Sequence, residues 1–494
     1  MTFDADAAYQ AILARDARFD GRLFVGVTST GVYCRPICRV RTPQKKNCRF
    51  FGSAAQAEAA AFRPCLKCRP EIAPGQAHPW TVMDASRTLA HQAALGLEAE
   101  AANGEAPSVA ALAARLGVSE RHLRRIFAAE HGVTPLQYVQ TRRLLLAKQL
   151  LTDTRLPVSQ VALSSGFRSL RRFNAAFAES YRMNPARLRK EARTTNDAAL
   201  VDDPAVTVTL AYRTPYAVEP LLRFLAARAI GGVEKVDGLC VRRSVRASTF
   251  GTSDAAWLEA TFVPDRARVR LAFAPALAPA SAHVIAAARR WLDLDAAPDA
   301  IDAALADLPG EPGLRLPGSV DPFELAVRAV LGQQVTVAAA RTLARRLVEA
   351  LGTAVTTPWP DIGRAFPAPD ALARVAPERI AELGIIRTRA NAIVALAQAW
   401  PRISARLAKR TEPEALIAAL CDLPGIGPWT AHYIAMRALG WPDAHLPGDV
   451  AVLAALRRLH GELTPRAAQA RTLAWQPWRS YAVLRLWNSL ETST

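Results

Sequence analysis

Four cysteines set in two close pairs, Cys34-x3-Cys38 and Cys65-x2-Cys68, limit what the start of this chain can fold into. Zinc takes four tetrahedral ligands, about 2.3 Å away when they are thiolates, and short spacings let two turns supply one pair each. The spacing predicts one Zn2+ held by Cys34, Cys38, Cys65 and Cys68. Five of the seven cysteines fall within residues 1–75, which marks that stretch as its own unit. Such usage fits metal or thiol chemistry in a reducing compartment better than a disulfide framework. Cys48, Cys240 and Cys421 lie outside any pair and are expected to be buried, inert thiols.

At 494 residues the chain is too long for one core; about three or four domains are expected. Beyond residue 80 the sequence turns rich in Ala, Leu and Arg and then repeats itself. Ala113, Gly117, Leu123, Phe127 and Pro135 recur as Ala162, Gly166, Phe173, Phe177 and Pro185, offset by 49 or 50 residues. This is a tandem duplication of one helical unit. Each copy reads as helix–turn–helix, with a small residue at the crossing, a glycine in the turn and a basic second helix capped by a serine. Arg121 and Arg124 in one copy, and Arg168 and Arg171 in the other, are candidates for reading guanine edges or holding phosphates. The polar stretch 194–204 reads as a linker.

Residues 205–295 carry alternating patches, VTVTLAY and ARVRLAF, with helical stretches between them, hence an α+β segment. From 296 onward helix follows helix between Pro and Gly. The expected fold is multidomain, mainly α with α+β parts, divided as 1–78, 79–192, 205–295 and 296–494. Lys and Arg exceed Asp and Glu by 62 to 44, a net charge of +18, so a polyanion is the first partner to consider. No apolar run reaches the roughly 20 residues that span a bilayer, and MTFDADAAYQ lacks a signal-peptide pattern. A cytoplasmic protein without a membrane partner is expected.

Near the C-terminus, LPGIGPWTAHYIA (423–435) reads as a hairpin between two helices. Gly425 and Gly427 let backbone N–H groups approach a phosphate closely. Downstream, Asp449 opens a helix, where an Asp is usually an N-cap. Trp475, Trp478, Tyr481 and Trp487 follow, and on pattern alone they are ordinary core aromatics.

The wording of these segments carries resemblances. DGRLFVGVTSTGVYCRPICRVRTPQKKNCRFF and FRPCLKCRP resemble the N-terminal domain of the Ada methyl-transfer proteins. The resemblance implies that Cys34 accepts a methyl group from a DNA methylphosphotriester. It further implies that Cys38, Cys65 and Cys68 remain ligands, and that Thr30, Arg41 and Arg63 contact the phosphate backbone. Cys48 departs from the family, which commonly has an aliphatic residue there. Residues 85–190 resemble the AraC-type regulator domain, which implies operator binding and RNA polymerase as a partner. Residues 205–494 resemble AlkA-type 3-methyladenine-DNA glycosylase II of the helix–hairpin–helix superfamily. By position, Asp449 matches the catalytic acid, while Trp429, Tyr433 and Trp487 match aromatics lining the flipped-base pocket. Gln334 falls on the wedge inserted into the DNA stack. Trp429 stands where lyase-competent relatives carry a Lys, so no Schiff base is expected and the enzyme should be a monofunctional hydrolase. No Pro-Cys-His-Arg acceptor motif occurs, and no O6-methylguanine transfer is expected. The rival reading is a regulator whose glycosylase half only binds. The joint presence of Asp449, Trp429, Tyr433, Gln334 and Trp487 argues against it.

Overall fold

The computed structural model describes residues 4–75, 85–102, 108–195, 205–252, 254–409 and 413–491. The expected boundary at 78/79 and most of the 194–204 linker lie outside the described residues. The chain divides into two compact units, one formed by 1–214 with 267–285 and the other by 215–266 with 286–494.

In the first unit, α1 (Ala5–Leu13) precedes strands β1 (Phe24–Val27), β2 (Val32–Cys34) and β3 (Cys48–Phe51), helix α2 (Ala54–Ala59) and β4 (Arg63–Pro64). The strands form one sheet in the order β3-β1-β2-β4. β2 runs antiparallel to β1, with Cys34 opposite Val25, and parallel to β4, with Tyr33 opposite Pro64. Helix α3 (Ala85–Ala102) leads into the duplicated region: α4 (Val109–Arg115), α5 (Glu120–His131), α6 (Pro135–Asp153), α7 (Val158–Ser164), α8 (Leu170–Tyr181) and α9 (Pro185–Thr195). The repeat works as its spacing implies. Gly117 and Gly166 take φ of +69° and +82°, a left-handed turn that favours glycine. Ser119 and Ser169 cap α5 and α8 through the amides of His122 and Arg172. Leu123, Phe127, Phe173 and Phe177 are fully buried.

The chain continues through β5 (Val206–Ala211), α10 (Val218–Arg228), β6 (Glu234–Asp237), β7 (Cys240–Val245), β8 (Ala256–Val263), β9 (Arg268–Phe273) and α11 (Ser281–Trp291). β5 pairs antiparallel with β9 and belongs to the first unit. There Asp153, at the end of α6, accepts the amide of Thr209 at 3.0 Å, and Gln149 donates to the Thr209 carbonyl at 2.8 Å. Asp153 also pairs with Arg69 at 2.7 Å; Arg69 bonds Glu71 at 2.9 Å, and Glu71 meets Lys148. All four charged side chains are nearly inaccessible. Their mutual pairing offsets the desolvation each suffers, so removing one partner would strand a buried charge.

In the second unit, β6, β7 and β8 form an antiparallel meander. Helices α12 (Pro298–Ala304), α13 (Pro322–Leu331) and α14 (Val337–Leu351) follow, then α15 (Pro369–Ala373), α16 (Pro377–Ala381), α17 (Arg387–Lys409) and α18 (Pro413–Cys421). The last four are α19 (Pro428–Leu439), α20 (Val450–His460), α21 (Pro465–Thr472) and α22 (Arg479–Glu491). The helical run is interrupted by one small ribbon, β10 (Thr353–Ala354) with β11 (Arg364–Ala365), which sequence periodicity does not reveal. Among the described residues no helix is long and apolar enough to cross a membrane.

Three cysteines depart from expectation. Cys421 ends α18 on its solvent side and is exposed, while its neighbour Leu420 takes the buried position. Cys48 and Cys240 are only half-buried. Burial still raises both thiols above the ordinary range, which favours the inert protonated form.

Candidate metal centre and aromatic–carboxylate site

Backbone hydrogen bonds bring the two cysteine pairs together. The Cys65 amide donates to the Tyr33 carbonyl at 3.0 Å, which sets Cys65 beside Cys34. The Arg35 amide points at Cys68 Sγ from 3.4 Å. Arg35 itself is buried, held by Asp20 through Nε at 2.8 Å, and its Nη1 donates to the Cys68 carbonyl at 3.1 Å. The four sulfurs lie within 4.8 Å of one another. A tetrahedral zinc with bonds of about 2.3 Å needs edges of roughly 3.8 Å, so the donor set fits. Contacts among the thiols, Cys38 first, hold Cys34 well above the ordinary thiol range, and contact with Cys34 first pulls Cys65 far below it. Close thiols share protons in this way, and a bound dication displaces them. The site is a zinc site.

Around it, Thr30 is exposed in the turn between β1 and β2. The Arg63 amide bonds the Gly31 carbonyl at 2.9 Å, which keeps Arg63 beside that turn. Arg41 is exposed. In the duplicated unit Arg121, Arg124, Arg168 and Arg171 are exposed on or next to the second helix of each copy. Arg124 pairs with Glu120 on its own helix.

In the second unit, Gly425 takes φ +80°, and a Cβ there would stand 2.8 Å from the Ala392 Cβ, so the hairpin packs too tightly on α17 for any side chain. Gly427 differs: it is the N-cap of α19 in extended conformation, with open space around it and no capping side chain. No side chain caps the N–H groups that open α19, and a helix N-terminus of this kind can hold an anion.

Trp429 and Tyr433 stand one turn apart at the start of α19, their rings stacked at 5.2 Å and 9°. Asp449 is the N-cap of α20 and is largely buried. Its Oδ1 accepts from the Val452 amide at 2.8 Å and from Trp487 Nε1 at 3.2 Å, while Oδ2 accepts from Trp429 Nε1 at 2.8 Å. Tyr433 and Trp487 are 6.5 Å apart and tilted by 44°. Asp449, Trp429, Tyr433 and Trp487 thus form one cluster. Gln334 stands outside it, exposed in the α13–α14 loop at φ +53°.

Sequence reasoning missed Arg437. It sits one turn beyond Tyr433, buried, and donates to the Tyr433 hydroxyl at 2.8 Å and to the carbonyls of Pro317 and Gly318. Burial raises the Tyr433 hydroxyl, but the positive charges of Arg437 and Arg228 outweigh it and leave the phenol below its usual range. The signal was an Arg at i+4 from Tyr433 and i+8 from Trp429, on the same helix face.

Models of known families match most of the chain. The metal-binding domain of Ada matches residues 7–71, a helix–turn–helix domain 112–191, the AlkA N-terminal domain 207–321, and the HhH-GPD superfamily of base excision DNA repair proteins 327–480. Among curated relatives, DNA-3-methyladenine glycosylase 2 of Escherichia coli is 36% identical over 56% of this chain and 96% of its own length. The bifunctional transcriptional activator/DNA repair enzyme Ada of Escherichia coli is 35% identical over 33% of this chain, which spans 42% of that protein. A Mycobacterium tuberculosis protein named as a probable bifunctional transcriptional activator/DNA repair enzyme AlkA is 37% identical over 99% of this chain and 97% of its own length. With all four parts matched in one relative of nearly the same extent, the chain belongs to the family of AlkA-type bifunctional transcriptional activator/DNA repair proteins.

Proposed function

We propose that this chain repairs alkylated double-stranded DNA in two ways and reports the damage as a transcription regulator. The functional segments are 1–78 for methyl acceptance, 79–192 for operator binding with RNA polymerase as partner, and 205–295 with 296–494 for base excision.

In the first reaction Cys34 Sγ attacks the methyl carbon of a methylphosphotriester. The S–C bond forms, the C–O bond breaks, and the phosphodiester leaves with the electron pair. Zinc, when bound, keeps all four sulfurs as thiolates at neutral pH. Four thiolates on a dication carry a formal charge of −2, which repels a phosphodiester but not the neutral triester. Thr30, Arg41 and Arg63 hold the flanking phosphates. Nothing in the chain regenerates Cys34, so each molecule reacts once.

In the second reaction an alkylated purine such as 3-methyladenine leaves the stack and enters the aromatic site. A planar base between two rings needs about 7 Å, twice an ordinary contact distance. Trp429 and Tyr433, at 5.2 Å, leave no slot between them. Tyr433 and Trp487, at 6.5 Å, come close to that width, so the base enters there. Electron-rich faces attract a cationic base.

The observation that carries this reading is the hydrogen bonding of Asp449. A carboxylate has about four lone-pair sites. Val452 and Trp487 occupy both on Oδ1, and Trp429 occupies one on Oδ2. One site on Oδ2 remains, its direction set by the Trp429 indole, while the Trp487 indole that holds Oδ1 also walls the base pocket. A negative oxygen so placed stabilises the positive charge that builds on the sugar as the glycosidic bond breaks. With Trp429 at the position of a possible amine, cleavage stops at hydrolysis of that bond. O6-methylguanine is not a substrate.

The test is release of 3-methyladenine from alkylated DNA by the wild type and Asp449→Asn. A loss of roughly 100–1000-fold is expected, the usual size for removing one electrostatic stabiliser. Equal release by both proteins overturns the assignment.

A further inference from the structure

The loop that carries Gln334 is not free. It joins α13 to α14, and Gln334 at its tip holds a left-handed backbone conformation that is uncommon and somewhat costly for a non-glycine residue. The residue before it is anchored on two sides. Gln333 Nε2 donates to the Gly425 carbonyl at 2.9 Å and to Thr430 Oγ1 at 3.1 Å. Only the amide NH2 can donate to a carbonyl, so the orientation of this side chain is fixed by chemistry. On the other side, Arg389, buried on α17, donates through Nη2 to the Gln333 carbonyl. The same turn of α17 supplies Ala392, against which Gly425 is packed. Three elements therefore meet at Gln333: the wedge loop, the hairpin with its open helix N-terminus, and the start of α17.

We propose that Gln333, locked by Arg389, is a positioning residue that ties the wedge at Gln334 to the phosphate-holding hairpin, so that gripping the backbone drives the wedge into the stack. The proposal rests on the reading of Gln334 and of the hairpin given above. A wedge does work only if it cannot recoil from the strand it enters. The hairpin fixes the backbone position, and two hydrogen bonds from one side chain set the distance between the two. Gln333 touches neither base nor sugar in this scheme. Its contribution is confined to extrusion and vanishes when the lesion needs no extruding.

That confinement gives the test. Full-length wild type, Gln333→Ala, Gln333→Glu, Arg389→Lys and Trp487→Ala are assayed under single-turnover conditions. One duplex has 3-methyladenine fully paired; the other has it opposite an abasic site, where the base is already loosened. On the paired duplex Gln333→Ala is expected to be about tenfold slower, the size of two ordinary hydrogen bonds lost. Gln333→Glu, isosteric but unable to donate to the Gly425 carbonyl, should be at least as slow; Arg389→Lys should fall between. On the abasic-opposed duplex these losses should shrink to about threefold or less, while Trp487→Ala stays impaired on both. 2-Aminopurine beside the lesion should brighten less on binding Gln333→Ala than on binding wild type. Equal losses on the two duplexes would reduce Gln333 to general structural support and overturn the proposal, as would wild-type rates in Gln333→Glu. Asp449→Asn, run alongside, separates the two claims: if it is inactive while the Gln333 variants match wild type, only the present proposal fails.

Discussion

Glu58 offers the sharpest physical prediction, because a carboxyl group stands where three neutral hydroxyls converge. Tyr33, which precedes Cys34 on β2, donates to Glu58 Oε1 at 3.0 Å, and Tyr181, the last residue of α8, approaches the same oxygen at 3.4 Å. Thr141 on α6 bonds it as well. Burial raises the carboxyl to about 8, and the hydroxyls and the more distant Lys148 only partly oppose that rise. The folded protein therefore keeps a proton that the unfolded chain releases near pH 4.3. The sign follows: stability is fullest below the unfolded value, falls as pH rises through the window from about 4.5 to 8, and is flat above it. Each unit costs about 1.4 kcal/mol, so over the roughly two and a half pH units up to pH 7 the deficit is about 3.5 kcal/mol. Glu58→Gln needs no proton and keeps an acceptor for both tyrosines. It should stabilise the junction at pH 7–8 by up to that amount, with no gain near pH 4.5. Hydrogen exchange of peptides from α2, α6 and α8, read by mass spectrometry across pH 5–8, measures the local opening free energy. Destabilisation by Glu58→Gln at pH 7.5, or a mutant-minus-wild-type difference that ignores pH, would refute the reasoning.

Purified protein should carry about one zinc per chain, and Cys65→Ala should lose both the metal and protection of β1–β4; metal analysis showing unchanged content would dismiss the four-cysteine site. Trp487→Ala should cut excision of cationic bases more than DNA affinity, because it removes both a stacking face and a donor to Asp449 while phosphate contacts lie elsewhere; parallel falls in rate and affinity would contradict this. Methylation of Cys34 should tighten operator binding, since the cluster goes from −2 to −1. One charge at about 5–6 Å and an effective dielectric near 20 is worth about 3 kcal/mol before screening, and a third of that is roughly fivefold in affinity. Operator titration at fixed salt before and after exposure to methylphosphotriester DNA checks it, and a gain that persists in Cys34→Ala rules it out.

What the sequence disclosed tracks the range over which each constraint acts. Two cysteine pairs reveal a metal site because tetrahedral coordination forces short local spacings. The duplicated helices are legible because turn glycines and buried aromatics recur at one offset. The junction around Glu58, Glu71, Lys148 and Asp153 was not legible. Charged residues read as solvent-facing, and their partners lie far along the chain: Glu71 meets Lys148 across 77 positions. Gln333 was hidden for the same reason, its partners standing 92 and 97 residues away.

Asp449 shows that a helix cap and the catalytic role proposed for it need not exclude each other. An Asp opening a helix is ordinarily a cap, and this one is a cap, through Oδ1 and the Val452 amide. Capping fixes the side-chain torsion and aims Oδ2 away from the helix, toward Trp429. The indoles of Trp429 and Trp487 then fill two of the remaining lone-pair sites from residues 20 and 38 positions distant. Replacement by Asn keeps the cap only if its oxygen faces Val452. Its NH2 then meets the Trp429 N–H, donor against donor, at a cost of about 1–3 kcal/mol. Loss of activity in Asp449→Asn thus combines a missing charge with a displaced Trp429 indole. Trp429→Phe separates the two, since it removes one donor and leaves the carboxylate charged. If the charge is what matters, Trp429→Phe retains most of the excision rate that Asp449→Asn loses; if the two variants fall equally, the indole's grip on Oδ2 is as necessary as the oxygen itself.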